Sequence, residues 1–125
     1  MKLKAVYRIT TFVPPEHLDN LLAGILKVSP LKYGRYDQVV WYSAPGTEQF
    51  RPLAGSNPTV GKENVLERIG SVKLEFAIPR DQQLLHRLLI EGIAANHPWE
   101  EPVVYVTETI VAQLQPDDPS IMTEV

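Results

Sequence analysis

The feature that most constrains the fold is a repeated order of strand-like and helix-like hydrophobic patterns. In the extended run from Leu3 to Phe12 the residues Leu3, Ala5, Tyr7 and Ile9 share one phase, and in the run from Val65 to Ile78 so do Val72, Leu74, Phe76 and Ile78, which is the period of a β-strand. Each stretch is followed by apolar residues at helical spacing, namely Leu18, Leu21, Leu22, Ile25 and Leu26 after the first, and Leu84, Leu85, Leu88, Leu89 and Ile93 after the second. The sequence therefore predicts two strand–helix units in succession.

Strand character returns after each predicted helix, over residues 38–43 and 103–107, where β-branched and aromatic residues are concentrated. The order β-α-β-β-α-β predicts an α+β, ferredoxin-like fold, an antiparallel sheet with both helices on one face. Pro45-Gly46-Thr47 predicts a turn, after which 49–53 pairs beside the second strand as an extra β-hairpin arm. We place one domain at 1–112 and a polar, proline-rich, mobile tail at 113–125.

The composition excludes several classes of function. A formal net charge of -3 provides no broad cationic surface for a nucleic acid backbone, so we expect no nucleic acid partner. The chain has no cysteine, which excludes disulfides, thiolate nucleophiles and cysteine-ligated metals. No segment approaches the roughly 20 apolar residues of a membrane span or has the pattern of a signal peptide. We therefore expect a soluble, cytoplasmic protein without a membrane partner.

Apolar side chains also occur in the phase of the strands that should face away from the helices. They include Val6, Phe12 and part of the run 39–42. Because two helices cover only one face of the predicted sheet, these residues suggest that the open face or an edge is covered by another subunit. We expect a homo-oligomer, with a trimer formed through sheet edges favoured over a dimer. The alternative is that the tail covers this face.

The segment His97-Pro98-Trp99-Glu100-Glu101-Pro102 has the side chains of a functional site. One hypothesis is a divalent metal site with His97, Glu100 and Glu101 as ligands. A second makes His97 a general acid or base, as in a metal-assisted hydrolase. A third is structural: the prolines stiffen the turn, Trp99 packs, and the glutamates accept hydrogen bonds from backbone amides.

The second candidate is the glycine-containing segment from Phe50 to Gly61. Backbone amides exposed by the glycines, beside Arg51, Ser56, Asn57 and Lys62, predict a site for a small ligand such as an anion, with Trp99 as an aromatic platform. The segment matches neither a P-loop nor a dinucleotide-binding fingerprint, since both require a following helix. A purely structural loop is the alternative interpretation.

Several of these segments together resemble the insert domain of Nif-three-like proteins. The resemblance covers roughly residues 1–112 and rests on the order and spacing of Gly34-Arg35-Tyr36, Phe50-Arg51-Pro52, Gly55-Ser56-Asn57-Pro58 with Gly61, and the 97–102 segment. Trp99 stands where the family usually has tyrosine, which keeps an aromatic ring and removes a hydroxyl. Thr47-Glu48 stands where another glycine is common.

The resemblance implies a domain related in fold to PII signalling proteins and to CutA, which commonly form trimers. It also implies that the two-metal site of the full-length relatives lies in a flanking domain without counterpart in this chain, so their hydrolase-like activity is not expected here. The leading hypothesis is a noncatalytic binding or regulatory module with a small ligand or divalent metal in clefts between subunits. A metal-assisted hydrolase and a protein–protein adaptor are the alternatives.

Overall fold

A computed structural model describes residues 1–115 and 120–124. The elements follow the chain in this order: β1 (Lys2–Val13), a 3-10 turn (Pro15–His17), α1 (Leu18–Val28), β2 (Trp41–Tyr42), β3 (Gly46–Phe50), β4 (Glu67–Pro79), α2 (Gln82–Arg87), a π-helical continuation of α2 (Leu88–Ala94), β5 (Val104–Gln113) and β6 (Met122–Glu124). The predicted pair of helices and the long strands that precede them are thus present.

The strands form one sheet in the order β2-β4-β1-β5, with antiparallel pairing between neighbours. The central strand β1 places Ile9 opposite Phe76 of β4 and opposite Val106 of β5. This is the strand order of the ferredoxin-like split β-α-β pattern, and the predicted α+β fold is confirmed.

The hairpin arm is present, but its partner strand differs from the predicted one. β3 pairs with the start of β4, with Gly46 opposite Ser71 and Phe50 opposite Glu67, and does not fold back on β2. β2 and β3 instead both pair antiparallel with β4, one after the other along its length, and a bulge that contains Pro45 joins them. A proline fits an edge bulge because it has no N–H to donate to the ladder, so the turn predicted at 45–47 is wrong. The true hairpin connection is the long loop 51–66.

The core lies between the sheet and the two helices. Most of its fully buried members belong to the predicted stripes, namely Ile9, Leu21, Ile25, Leu74, Ile78, Leu88 and Ile93, while Val13 and Leu31 lie outside them. The Asp81 carboxylate caps α2 by accepting hydrogen bonds from the amides of Gln83, at 2.9 Å, and Leu84, at 3.1 Å. This core fixes the edge of the sheet and the strand ends from which the loops 51–66 and 95–103 extend.

Part of the predicted tail is ordered on the sheet. β5 extends to Gln113, and β6 pairs in parallel with the first residues of β1, with Lys2 opposite Met122. The predicted mobility over 116–119 and at 125 concerns positions outside the described residues. The domain boundary at 112 stays a prediction. Within 1–115 and 120–124, no helix is long and apolar enough to cross a membrane.

Candidate functional site

The two segments singled out in the sequence lie against each other at the end of β1. The Thr59 hydroxyl donates a hydrogen bond of 2.6 Å to the carbonyl of Pro98. The Asn57 amide donates one of 2.6 Å to Oε2 of Glu100. About 40 residues of chain separate the donors from the acceptors, so these bonds hold the long loop 51–66 on the 97–102 segment. Each bond joins a backbone group of one segment to a side chain of the other, and together the two bonds hold the loop at two points.

The loop is also closed at its base. Pro52 is buried, and its carbonyl accepts a hydrogen bond of 2.6 Å from the Asn64 amide. Gly61 adopts a φ of +95°, and a Cβ at this position would lie 2.8 Å from Cγ of Glu67. Only glycine enters this backbone region without strain, which explains its place in a loop that must turn back toward β4.

His97 joins this assembly to the core. Its side chain is buried, and its Nε2 lies 2.7 Å from the carbonyl of Phe12 in β1. Its Nδ1 accepts a hydrogen bond of 3.0 Å from the Trp99 amide. Because a carbonyl can only accept, Nε2 carries the proton and Nδ1 is the unprotonated nitrogen of a neutral ring. Both ring nitrogens are therefore committed to the backbone.

The surroundings of His97 favour this neutral state. Burial lowers the pKa of His97 below its ordinary value of 6.5, and the nearby His17 lowers it further, while the hydrogen bond to Phe12 opposes the shift. Protonation of Nδ1 would also remove the acceptor of the Trp99 amide. The ring thus acts as a neutral connector between β1 and the 97–102 segment.

The joined segments border a groove of about 570 Å³. The rings of Phe50 and Trp99 pack in a tilted arrangement with centroids 5.8 Å apart and form its aromatic wall. Four charged side chains line the groove, the carboxylates of Glu48, Glu100 and Glu101 and the guanidinium of Arg51. A space of this size suits a small molecule with an apolar body and a few polar groups.

The structure places the predicted ligand-binding residues in or beside this groove. Arg51, Ser56 and Trp99 line it, and Asn57 adjoins it through its bond to Glu100. The Ser56 hydroxyl donates to the Leu53 carbonyl at 2.7 Å, so it stabilises a local turn. The Asn57 amide, predicted to receive an anionic ligand, already binds the carboxylate of Glu100. Ligand binding by these residues stays a prediction.

The predicted metal ligands are arranged differently from a metal site. Both nitrogens of His97 are hydrogen-bonded, and one carboxylate oxygen of Glu100 accepts from Asn57. Within the part of the chain that the structure describes, no three His, Cys, Asp or Glu side chains are placed to hold a metal ion together. Metal binding by His97, Glu100 and Glu101 stays a prediction that would require His97 to release a backbone partner.

Sequence reasoning did not name Glu48 or Phe50 as site residues, although Phe50 begins the candidate segment 50–61. Glu48 and Phe50 share one face of β3, because side chains two apart on a strand point the same way. The alternation from Gly46 to Phe50 would have predicted this, but the expected turn at 45–47 obscured it. Thr59 was also missed, and no sequence signal links it to the carbonyl of Pro98.

The chain resembles part of larger bacterial proteins. It is 30% identical over 97 residues to a Staphylococcus epidermidis protein named GTP cyclohydrolase 1 type 2 homolog, matching 78% of this chain and 25% of that protein. A Halalkalibacterium halodurans protein of the same name is 27% identical over 99 residues, 79% of this chain and 26% of that protein. The chain thus spans about a quarter of the length of these relatives. No protein-family model matches it.

Solved structures give the same picture. A Bacillus cereus protein related to NIF3 superposes with a TM-score of 0.67 and 25% identity, covering 86% of this chain and 26% of that one. The divalent ion tolerance protein CutA1 from Ehrlichia chaffeensis superposes with a TM-score of 0.56 and 12% identity over 85% of this chain and 82% of that one. At this identity the second likeness concerns the fold alone.

Proposed function

We propose that this chain, which is homologous to one region of the Nif-three-like proteins, is a noncatalytic module that binds a small ligand in the groove beside Trp99. The kinship predicted from the sequence is confirmed. The names of the relatives describe proteins of which the matched region is about a quarter, and their activity is not transferred to this chain.

One observation carries the proposal: the loop 51–66 and the 97–102 segment, distant in sequence, are hydrogen-bonded together so that they enclose a groove with an aromatic wall. Ordering such a loop costs conformational entropy, and the bonds to Pro98 and Glu100 offset that cost. A preformed groove with its aromatic wall in place is a typical site for a small molecule.

A catalytic role for His97 has less support. A general acid or base must exchange a proton with the substrate, which requires a ring nitrogen that is free to face it. In this chain one nitrogen contacts the Phe12 carbonyl and the other the Trp99 amide. The ring instead positions Trp99, which is the role a binding module requires of it.

The binding role predicts a specific dependence on Trp99. In ligand-observed NMR against a library of small aromatic amines, alcohols and acids, the wild-type protein should bind a subset of compounds, and Trp99→Ala should lose them. Tyr36→Ala is the matched control, because Tyr36 is an exposed aromatic residue that does not line the groove. Equal binding by the wild type and Trp99→Ala would refute the site.

The proposal includes assembly into a homo-oligomer, with a trimer favoured over a dimer. Its support is the sheet face opposite the helices, where Trp41 and Tyr105 are 55% and 61% exposed. Between them in the same row lie Glu75 and Thr10, joined by a hydrogen bond of 3.0 Å from the Thr10 hydroxyl. Aromatic side chains such as these are enriched in surfaces that pack against protein, and the Thr10–Glu75 bond satisfies a polar pair between them.

Assembly predicts a mass above that of the 14.1 kDa chain. Multi-angle light scattering at micromolar concentration should give about three times this mass, or twice for the dimer alternative. The double variant Trp41→Ser, Tyr105→Ser should shift the mass toward the monomer. A wild-type monomer across the concentration range would contradict this part of the proposal.

A further inference from the structure

The groove contains a carboxylate oxygen without a partner. Glu48 lies on β3 and lines the groove, and its Oε2 is shielded from solvent without a hydrogen bond to any of the residues described. A shielded carboxylate oxygen is costly unless a cation or a hydrogen-bond donor faces it. Strand alternation places Glu48 on the same face of β3 as Phe50, so the carboxylate and the aromatic wall lie on one side of the strand.

The other charges of the groove do not neutralise this oxygen. In the ranges 1–115 and 120–124, ion pairs within 4.0 Å join Lys73 to Glu75 and Arg87 to Glu91, and neither involves the groove. Glu101 lines the groove as well. The carboxylates of the groove thus outnumber its guanidinium, that of Arg51, by three to one.

An anionic ligand fits this arrangement poorly. The Asn57 amide, which the sequence predicts to donate a hydrogen bond to an anionic ligand, already donates one of 2.6 Å to the Glu100 carboxylate. The anion bound by this loop is therefore the carboxylate of Glu100, a side chain of the protein itself. An added carboxylate or phosphate would face three acidic side chains with Arg51 as the only opposing charge in the groove lining.

We infer that the groove is selective for a cationic ligand, an organic ammonium carried on an apolar or aromatic body. The ammonium pairs with the carboxylate of Glu48, and the body packs on Trp99 and Phe50. The exposed part of the Trp99 ring adds attraction for the positive charge. This inference rests on the proposed function, because it names the class of ligand for the same groove.

Three probes with a common phenyl ring and two-carbon linker test the charge directly. Phenethylammonium, 2-phenylethanol and 3-phenylpropionate are titrated separately into the wild-type protein by isothermal titration calorimetry. We expect the ammonium to bind roughly tenfold more tightly than the alcohol, and the carboxylate to bind most weakly. This comparison needs no variant, so it holds whatever substitutions do to folding.

The variant Glu48→Gln then tests whether the charge of Glu48 contributes to ammonium binding. It keeps the shape of the side chain and removes its charge, so ammonium affinity should fall by about fivefold or more while alcohol affinity stays unchanged. Glu108→Gln is the matched control, since Glu108 is exposed on β5 and does not line the groove. Thermal unfolding of each variant establishes that it is folded.

The outcomes separate this inference from the proposed function. Equal affinities for the three probes, or tightest binding of the carboxylate, with binding still lost in Trp99→Ala, would overturn the cation inference and leave the groove as a binding site. Unchanged ammonium affinity in Glu48→Gln would overturn the role of Glu48. Probe binding that is unaffected by Trp99→Ala would overturn both proposals.

Discussion

Replacing His97 with alanine is expected to lower the free energy of unfolding by about 2–4 kcal/mol, because two partly buried backbone groups each lose a partner, at a cost in the lower part of the range of about 1–3 kcal/mol for a buried group. The Phe12 carbonyl loses its donor and the Trp99 amide loses its acceptor. Chemical denaturation followed by far-UV circular dichroism measures the change. His86→Ala, an exposed histidine on α2, should change stability by less than about 0.5 kcal/mol.

The same residue predicts a pH dependence. Since folding lowers the pKa of His97 below 6.5, the unfolded chain binds the proton more readily than the folded one. The stabilisation from neutral His97 is therefore complete above pH 6.5 and is lost as the pH falls below that value. His97→Gln should lose less unfolding free energy between pH 7.5 and pH 5 than the wild type.

For the alanine substitution, a variant as stable as the wild type would show that the ring is not a structural connector.

The second large effect is expected at the contact between the helices. Gly24 of α1 is buried against Asn96, and a Cβ at this position would lie only 2.9 Å from the Asn96 Cβ. The Asn96 amide donates to the carbonyls of Glu91 and Gly92, at 2.9 and 2.8 Å, where the π-helical stretch ends. Gly24→Val should therefore cost about 3 kcal/mol, since the added methyl groups displace Asn96 and separate the helices.

Ala23→Val is the matched control for this substitution. Ala23 is exposed on the same helix, so the change costs only helix propensity, about 0.5 kcal/mol. In an Asn96→Ala background, which removes the obstructing side chain, Gly24→Val should cost markedly less than in the wild type. Denaturant midpoints of the wild type, the three single variants and the Asn96→Ala, Gly24→Val double variant measure these differences. Equal costs at positions 23 and 24 would contradict the close approach of the helices.

The hydrophobic periodicity was sufficient to predict the layers of this fold. The stripes of α1 and α2 and the alternation of β1 and β4 are local patterns, and burial of Leu21, Ile25, Leu74 and Leu88 follows from them. The hairpin was mispredicted because Pro45-Gly46 has the composition of both a turn and an edge bulge. Only the pairing of Gly46 with Ser71 distinguishes the two.

The site was predictable as segments but not as geometry. Both candidate segments were evident from their side chains, yet nothing local states that Asn57 and Thr59 contact Glu100 and Pro98. The role of His97 was likewise open, because the sequence around a histidine does not distinguish a buried ring that is hydrogen-bonded to two backbone groups from a metal ligand. The distances to Phe12 and to the Trp99 amide distinguish these roles.

The chain has two tryptophans, which permits one direct measurement of the central claim. In a titration with phenethylammonium, ¹⁵N-resolved NMR reports each indole N–H separately, assigned with Trp41→Phe. If the ligand binds in the groove, the chemical shift of the Trp99 indole N–H should change in a saturable way, while that of Trp41 stays constant. A shift confined to Trp41 would locate binding on the open sheet face, and no saturable shift of Trp99 would contradict the account.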